Sequence, residues 1–211
     1  FKMLMRVITK LINYELIKIY TRNIKRFGFT PMGVFWNSKT SQYNRFKVIF
    51  KLLFRYSSLK KLEIADIGCG YGEFLKFLKE SKSNYSYKGY DINPEIIKFC
   101  NKRFTDKLFE VSNFPQKKCD FCIISGTYNY AVIDDLGLWE SYIIKNLVEC
   151  FKMCNLGIIV NFQVSNFKKI KNNIFYSDIN SMRSLLRKKF KNVEHFEDKL
   201  TSNDVYFIIL R

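Results

Sequence analysis

The chain has 211 residues, of which 47% are hydrophobic, and its 36 Lys and Arg against 19 Asp and Glu give a formal net charge of +17. This length and composition fit one folded α/β domain and exclude a disordered chain. Each apolar run is interrupted before the roughly 18 residues of a membrane span, and the first residues lack the apolar block of a secretory signal, so we expect a cytoplasmic protein with no transmembrane span.

The N-terminal part of the chain is predicted to be helical. Residues 3–26 place apolar side chains at helical spacing with Lys and Arg between them, which predicts an amphipathic basic helix. Such a helix either packs on the domain or contacts a membrane surface or a partner, and base rates favour packing. Two glycines and a proline break the pattern at 28–33, and helical periodicity resumes over 41–57. We expect residues 1–60 to form a helical extension that acts as a flap over a ligand.

Strands and helices alternate from residue 62 onward. Strands are predicted at 62–67, 85–91, 107–112, 119–125, 156–162, 193–197 and 205–210, and helices at 74–78, 94–99, 138–153 and 178–190. This alternation predicts an α/β fold with a mainly parallel, doubly wound, Rossmann-like sheet of seven strands. The last strand is predicted to pair antiparallel, and residues 61–211 are assigned to this domain.

Six cysteines raise the question of a metal site. Cys119 and Cys122 have the spacing of half a zinc site, but they lie in a predicted strand, where residues three apart point to opposite faces. Cys150 and Cys154 share a helix face, yet no further Cys or His pair completes a ligand set. We therefore expect buried free cysteines, with no disulfide framework and no metal.

The excess positive charge has two interpretations. A basic balance indicates nucleic acid, anionic lipid or an acidic substrate when the charges cluster. The lysines are instead spread along the whole chain, which favours a compositional origin. We expect no specific nucleic-acid partner and at most a weak contact with an anionic surface.

A glycine-rich turn follows the first predicted strand of the domain. Gly68, Gly70 and Gly72 let the backbone approach a ligand closely, since glycine adopts positive φ and has no Cβ. The third glycine comes one residue too early for a GxGxxG pyrophosphate loop, and Asp66 would repel a phosphate. Asp91, at the end of the second strand, matches the acidic residue that holds ribose hydroxyls. These residues predict a nucleoside ligand that carries an amine and no phosphate.

The ordered set resembles class I S-adenosylmethionine-dependent methyltransferases. Residues 66–73 are similar to the glycine-rich motif of that family, Asp91 to its ribose-binding residue, and Asn113 stands where an Asp is more usual. The resemblance covers about residues 62–211 and implies S-adenosylmethionine as the cofactor and S-adenosylhomocysteine as the product. The cofactor-binding residues that it implies in this part are Asp66, Gly68, Cys69, Gly70, Asp91, Ile92, Asn113, Phe114, Ser125 and Gly126.

Residues 33–46 are similar to the lead-in of a subgroup associated with small polar metabolites and surface glycans. This resemblance implies that Trp36, Gln42 and Arg45 cover the cofactor, with Arg45 on its methionine carboxylate. From the residues alone, a core Trp36 and a solvated Arg45 fit equally well. Tyr128, Asn129 and Asn161 lie at predicted strand ends and are candidates for lining the acceptor pocket, and the resemblance to the subgroup implies Tyr176 as a further one. The only histidine, His195, lies inside a predicted strand, so no catalytic residue is assigned.

Together these features predict an enzyme that methylates oxygen or nitrogen of a small polar acceptor, such as a sugar or a surface-glycan precursor. Two other functions stay open: an RNA-modifying methyltransferase, suggested by the positive charge, and a cofactor-binding partner protein without catalysis. Against RNA, residues 125–129 differ from the Pro-Pro-Tyr type of motif that grips an amino group on a nucleobase. The acceptor and the oligomeric state are left open.

Overall fold

The computed structural model describes residues 2–57, 61–105 and 107–211, so the predicted boundary at residue 60 lies outside the described residues. The helices are Lys2–Phe27 (α1), Lys39–Ser57 (α2), Glu73–Glu80 (α3), Pro94–Arg103 (α4), Leu136–Met153 (α5) and Ile179–Arg187 (α6). The strands are Glu63–Ile67 (β1), Ser86–Asp91 (β2), Phe109–Val111 (β3), Cys119–Ile124 (β4), Cys154–Val164 (β5), Lys169–Lys171 (β6), Ile174–Ser177 (β7), Asn192–Phe196 (β8) and Asp204–Leu210 (β9).

The strands form one mixed sheet whose central part has the order β3-β2-β1-β4-β5, all parallel. Beyond β5, β9 pairs antiparallel with it and β8 pairs with β9. The predicted α/β fold, with its seven main strands and an antiparallel C-terminal strand, is confirmed. The order reverses between β1 and β4, and in such sheets a ligand cleft opens there, at the carboxyl ends of the strands.

A short hairpin of β6 and β7 was not predicted. It turns through Asn172 and Asn173, which both adopt positive φ, a conformation that Asn tolerates. β7 pairs in parallel with Gln163 and Val164 of β5, past the end of β4 at Ile124. Strand β9 pairs with the other edge of β5 at Gln163. The hairpin therefore lies on the same edge of β5 as β4 and continues the sheet beyond the end of β4.

The sheet is covered on both faces by apolar layers. Along β4, Ile124 faces the layer that contains α5 and α6, whereas Phe121 and Ile123 face the layer that contains α2, α3 and α4. This alternation is the two-residue period of a strand. The fully buried Trp139 and Leu53 mark the centres of the two layers.

Helix α1 packs on the domain, which is the more common arrangement for an amphipathic helix. Ile12 is buried, Asn93 Nδ2 donates to Thr21 Oγ1 at 3.0 Å, and Tyr142 Oη donates to Asn13 Oδ1 at 2.8 Å. Its outer face leaves four apolar side chains exposed: Leu4, Val7, Leu11 and Tyr14. Within the described part of the chain, no helix is long and apolar enough to cross a bilayer.

All six cysteines are free and buried. The expectation that Cys119 and Cys122 point to opposite faces of the sheet is wrong. The pairing register of β4 shifts between Cys119 and Phe121, and a bulge of this kind inserts one residue and reverses the alternation locally. Both side chains therefore lie in the layer that contains α5, with their Sγ atoms 3.8 Å apart.

Candidate active site

The turn between β1 and α3 forms the floor of a cleft at the carboxyl ends of the strands. Gly68 and Gly70 adopt φ of 70° and 53°. The N–H groups of Gly68 and Cys69 donate to the Tyr90 carbonyl oxygen at 2.7 and 3.0 Å, which ties the turn to β2. A Cβ at Gly68 would lie 2.5 Å from the Thr127 side chain, whereas one at Gly70 would meet no atom nearer than 4.0 Å. The turn therefore presents bare backbone to the cleft at Gly70.

Two buried carboxylates face this cleft from neighbouring strands. Burial raises the pKa of Asp66 to about 7, although its Oδ2 accepts a 2.7 Å hydrogen bond from Tyr87 Oη. Burial also raises the pKa of Asp91 to about 6, against the effect of the N–H groups of Gly70 and Asn93, which donate to its oxygens at 3.2 and 2.9 Å. A cationic group in the cleft would favour the ionised form of both carboxylates.

The end of β4 forms a third side of the cleft. The Gly126 N–H donates to Asn161 Oδ1 at 2.8 Å, which fixes the turn after the strand. The Trp36 ring lies over this turn, so that a Cβ at Gly126 would come within 2.9 Å of it. Ser125 Oγ is buried and has no hydrogen-bond partner among the described residues. This side therefore combines a flat aromatic cover with a free hydroxyl group.

A polar wall lies beside Asp91, where β3 ends and α5 passes. Asn113 Nδ2 donates to Asn146 Oδ1 at 3.0 Å. Asn146 is buried, and its Nδ2 has no hydrogen-bond partner in the described part of the chain. An unpaired buried donor costs about 1–3 kcal/mol. The wall thus offers an amide donor that a ligand would satisfy.

The N-terminal helices close the remaining side. Seven side chains of this part of the chain line the cleft: Leu16, Ile17 and Tyr20 from α1, Val34 and Trp36 from the segment after it, and Gln42 and Phe46 from α2. The Tyr20 ring packs against Phe35 and Tyr130, with ring centroids 5.0 and 5.9 Å away. The lining of the cleft among the described residues includes no Lys, Arg or His. Concave sites lined by apolar side chains with a few polar groups are typical of small-molecule and cofactor binding.

Most of the predicted site residues meet in this cleft: Trp36, Gln42, Asp66, Gly68, Cys69, Gly70, Asp91, Ile92, Asn113, Ser125, Gly126 and Tyr128. Five others do not line it: Arg45, Phe114, Asn129, Asn161 and Tyr176.

Arg45 is paired inside the protein and does not reach the cleft. It forms an ion pair with Asp204 Oδ2 at 2.5 Å, its Nη1 donates to Ser41 Oγ at 2.6 Å, and its guanidinium lies 4.8 Å from the Trp36 ring. Asp204 has no exposed side-chain surface, and burial raises its pKa while Arg45 lowers it. The antiparallel β9 brings Asp204 to this edge of the sheet, which the sequence spacing did not reveal. Arg45 therefore supports the Trp36 cover from behind.

The other four residues support the cleft from outside. Phe114 packs against the core layer of α5, and Asn161 bonds to the end of β4. Asn129 Oδ1 accepts from the Gln163 N–H at 3.3 Å, which links the segment after β4 to β5. Tyr176 lies in the hairpin, paired with Gln163 on β5. Asn129 and Asn161 were predicted at strand ends, Phe114 directly after the third strand and Tyr176 after the fifth, but the directions of their side chains were not predicted.

Several lining residues were not predicted, and helices α1 and α5 contribute five of them: Leu16, Ile17, Tyr20, Tyr142 and Asn146. The periodicity of α1 predicts a buried face but does not say which part of the domain it covers. Asn146 could have been predicted, because a polar residue on the apolar face of a predicted helix indicates a buried polar site.

Comparison with known proteins identifies this arrangement. A family model described as a methyltransferase domain matches residues 65–138. Rv1506c of Mycobacterium tuberculosis, a methyltransferase by name, is 24% identical over 132 residues, which cover 60% of this chain and 80% of the relative. An S-adenosylmethionine-dependent methyltransferase of Leishmania major superimposes with a TM-score of 0.66 at 12% identity, covering 91% of this chain and 82% of the other. Residues 65–138 therefore match a methyltransferase domain, and the chain has the fold of S-adenosylmethionine-dependent methyltransferases.

S-adenosylmethionine is the cofactor of solved structures that share this fold. The magnesium protoporphyrin IX methyltransferase of Synechocystis PCC 6803, solved with that cofactor bound, shares the fold with a TM-score of 0.54 at 14% identity, covering 82% of this chain and 80% of the other. The cleft fits such a ligand, because two carboxylates, an unpaired hydroxyl and an unpaired amide surround bare backbone. A magnesium protoporphyrin IX methyltransferase and a small RNA methyltransferase both share the fold. The fold therefore does not identify the acceptor.

Proposed function

We propose that this methyltransferase methylates an oxygen or nitrogen atom of a small polar acceptor, with sugars and surface-glycan precursors as the first class to test. The charge of the cleft carries the proposal. The chain has 36 Lys and Arg, yet the lining of the cleft, over the residues described, contains neither. Proteins that hold phosphates rely heavily on these side chains. An uncharged acceptor therefore fits the cleft better than a nucleic-acid backbone.

In this proposal the cofactor lies across the ends of β1, β2 and β4, and it supplies a methyl group on a sulfonium centre. Asp91 holds the ribose hydroxyls, since each carboxylate oxygen can accept a second hydrogen bond beside its backbone donor. Asp66 faces the amino group of the methionine part, where its ionised form is favoured. Asn113 and Asn146 contact the adenine, and Ser125 lies at the methionine end.

The protein contributes to the reaction by positioning the cofactor and the acceptor and by excluding water from the cleft. Trp36 covers the end of β4, and the packed rings of Tyr20 and Phe35 close the side above it. Burial raises the pKa of Tyr20 and of Tyr142 well above the ordinary value, so neither hydroxyl acts as a base near neutral pH. We assign no general base. An acceptor amine that is neutral at working pH needs none.

The N-terminal extension, residues 1–60, is proposed to move as a flap. Gly28 and Phe35 both adopt positive φ, and Phe35 does so as a bulky residue, which is uncommon. These two positions bound the segment that carries Trp36 toward the cleft. Opening there would admit cofactor and acceptor, as lids do in other enzymes. The six free thiols support a reducing location such as the cytoplasm.

A turnover screen tests this function against its alternatives. The purified chain is incubated with S-adenosylmethionine and, separately, with small metabolites, nucleotide sugars and RNA at physiological salt, and S-adenosylhomocysteine is measured. We expect turnover on a small polar acceptor, and RNA binding that fades as salt rises. Site-specific methylation of a transcript without small-molecule turnover would favour the RNA enzyme. Tight cofactor binding with no turnover on any acceptor would favour a partner protein.

A further inference from the structure

Three cysteine thiols meet at the end of the sheet opposite the cleft. Cys119 begins β4, Cys154 begins β5, and the two residues are partners in the sheet. With Cys122, their Sγ atoms all lie within 4.8 Å of one another. The Sγ of Cys122 is 3.8 Å from that of Cys119 and 3.2 Å from that of Cys154. All three side chains are buried, so the sulfurs form a compact internal cluster.

The carboxyl end of helix α5 points at the same cluster. Cys154 Sγ donates to the Cys150 carbonyl oxygen at 3.2 Å, and Cys122 Sγ lies 3.9 Å from that oxygen. Cys119 Sγ lies 3.9 Å from the Met153 carbonyl oxygen. Carbonyl groups at a helix C-terminus carry partial negative charge. The surroundings of the three sulfurs therefore favour a cation.

The spacing of the sulfurs also suits a metal. With Zn–S bonds of about 2.3 Å, sulfur ligands are separated by about 3.8–4.0 Å. The Cys119–Cys122 distance of 3.8 Å already matches this, and the Cys122–Cys154 distance of 3.2 Å would have to widen by about 0.6 Å. Thiolate ligands select soft cations such as Zn²⁺ and Cu⁺.

Two positive side chains lie beside the cluster. Arg211 donates from Nε to the Cys154 carbonyl oxygen at 2.9 Å and from Nη2 to the Phe151 carbonyl oxygen at 2.7 Å. Lys118 Nζ donates to the Lys152 carbonyl oxygen at 2.7 Å. Three thiolates around Zn²⁺ would leave one net negative charge, which these cations offset.

We propose that Cys119, Cys122 and Cys154 form a binding site for one thiophilic metal ion, Zn²⁺ or Cu⁺. Binding forms three metal–sulfur bonds and releases the three thiol protons to solvent, and no electron is transferred. The ion would join the amino ends of β4 and β5 to the end of α5. Its role is structural, because the methyl-transfer cleft lies at the carboxyl ends of the same strands.

Metal analysis of the full chain tests the proposal. The protein is purified under reducing conditions, and its metal content is measured by mass spectrometry, which distinguishes zinc from copper. The stripped protein is then titrated with Co²⁺ and followed by absorption. We expect one metal ion per chain and a thiolate-to-cobalt charge-transfer band that saturates at one equivalent. Displacement of cobalt by Zn²⁺ or by Cu⁺, in separate arms, identifies the preferred ion.

Matched variants separate ligands from neighbours. Cys154→Ser should abolish the charge-transfer band. Cys150→Ser should keep it, because the Cys150 sulfur lies 3.8 Å from the Asn113 carbonyl oxygen and takes no part in the sulfur cluster. Cys100→Ser, in the other core layer, is a second control. Cofactor affinity should be equal in wild type and folded Cys154→Ser, because Cys154 lies at the opposite ends of the strands from the cleft, so the result is independent of the proposed methyl transfer.

A measurement on wild type alone covers the case in which a variant fails to fold. One equivalent of the preferred ion should raise the melting temperature of the stripped chain, since the ion binds only the folded state. No charge-transfer band from stripped wild type, or an equal band from Cys154→Ser, would overturn the proposal. An unchanged melting temperature with metal would also contradict it.

Discussion

The strand-end wall and the helical wall of the cleft are held in place by different interactions. The first consists of the turn after β1 and the ends of β2 and β4, and backbone hydrogen bonds fix it, such as those from Gly68 and Cys69 to Tyr90. The second consists of α1, α2 and the segment between them, and side chains distant in sequence attach it, such as Arg45 to Asp204. We therefore expect the strand-end wall to fix the cofactor and the helical wall to open and close.

Breaking the main attachment of the helical wall should have the largest effect. Arg45→Met leaves the Asp204 carboxylate buried without its partner, and removal of one member of a buried pair costs about 3–5 kcal/mol. Urea unfolding measures this loss. The double variant Arg45→Met, Asp204→Asn should recover most of it, because neither side chain is then charged. A single variant as stable as wild type would show that the pair does not hold the wall.

Two alanine substitutions in the strand-end wall should separate folding from binding. Gly68→Ala places a Cβ 2.5 Å from Thr127 at φ 70°, and the strain and overpacking should cost about 2–4 kcal/mol of stability. Gly70→Ala also places an alanine at positive φ, but its Cβ would meet no close neighbour. It should therefore cost about 1–2 kcal/mol of stability, and its methyl group should obstruct cofactor binding. Urea unfolding and calorimetry of both variants measure the difference. Equal losses of stability would contradict this assignment of the two glycines.

The pH dependence should have opposite signs for stability and for binding. Asp66 and Asp91 have pKa values of about 7 and about 6, above the ordinary 3.8, because they are buried. Between about pH 4 and 7 the folded cofactor-free chain therefore holds more protons than the unfolded chain, and its stability falls as pH rises. The affinity for the cationic cofactor should rise over the upper part of this range.

Thermal unfolding and calorimetry across this range test the two slopes. Asp66→Asn removes one titrating carboxylate, so both the stability slope and the affinity slope should become shallower. A cofactor affinity that stays constant through the pKa values of both carboxylates would show that their ionisation does not matter for binding.

Flap movement should give the smallest effect. Limited proteolysis near residues 28–40 should slow when the cofactor is bound, because closure protects the segment around Trp36. Cleavage in the surface hairpin at Asn172 should stay constant and serves as the internal control. Unchanged cleavage at 28–40 in saturating cofactor would mean that this wall is static.

The two walls also differ in how well the sequence predicts them. The turn and Asp91 were predicted, since glycines at positive φ and a carboxylate at a strand end are local requirements. The partner of Arg45 was not, because Asp204 lies in the last strand and only the antiparallel pairing brings it near. The β6–β7 hairpin was missed since its strands are too short to show periodicity. The bulge at Cys119 was missed because strand alternation was assumed to be regular.

Calorimetric titration of S-adenosylhomocysteine into wild type and Asp91→Ala tests the central claim, that the strand-end wall holds the cofactor. Loss of the ribose hydrogen bonds should weaken binding by about 1.5–3 kcal/mol, which is roughly a 10- to 150-fold rise in Kd. Glu110→Ala, on the neighbouring strand and partly exposed beside Lys88, is the matched control and should bind as wild type does. Equal affinities of wild type and Asp91→Ala, or no binding by wild type, would contradict the account.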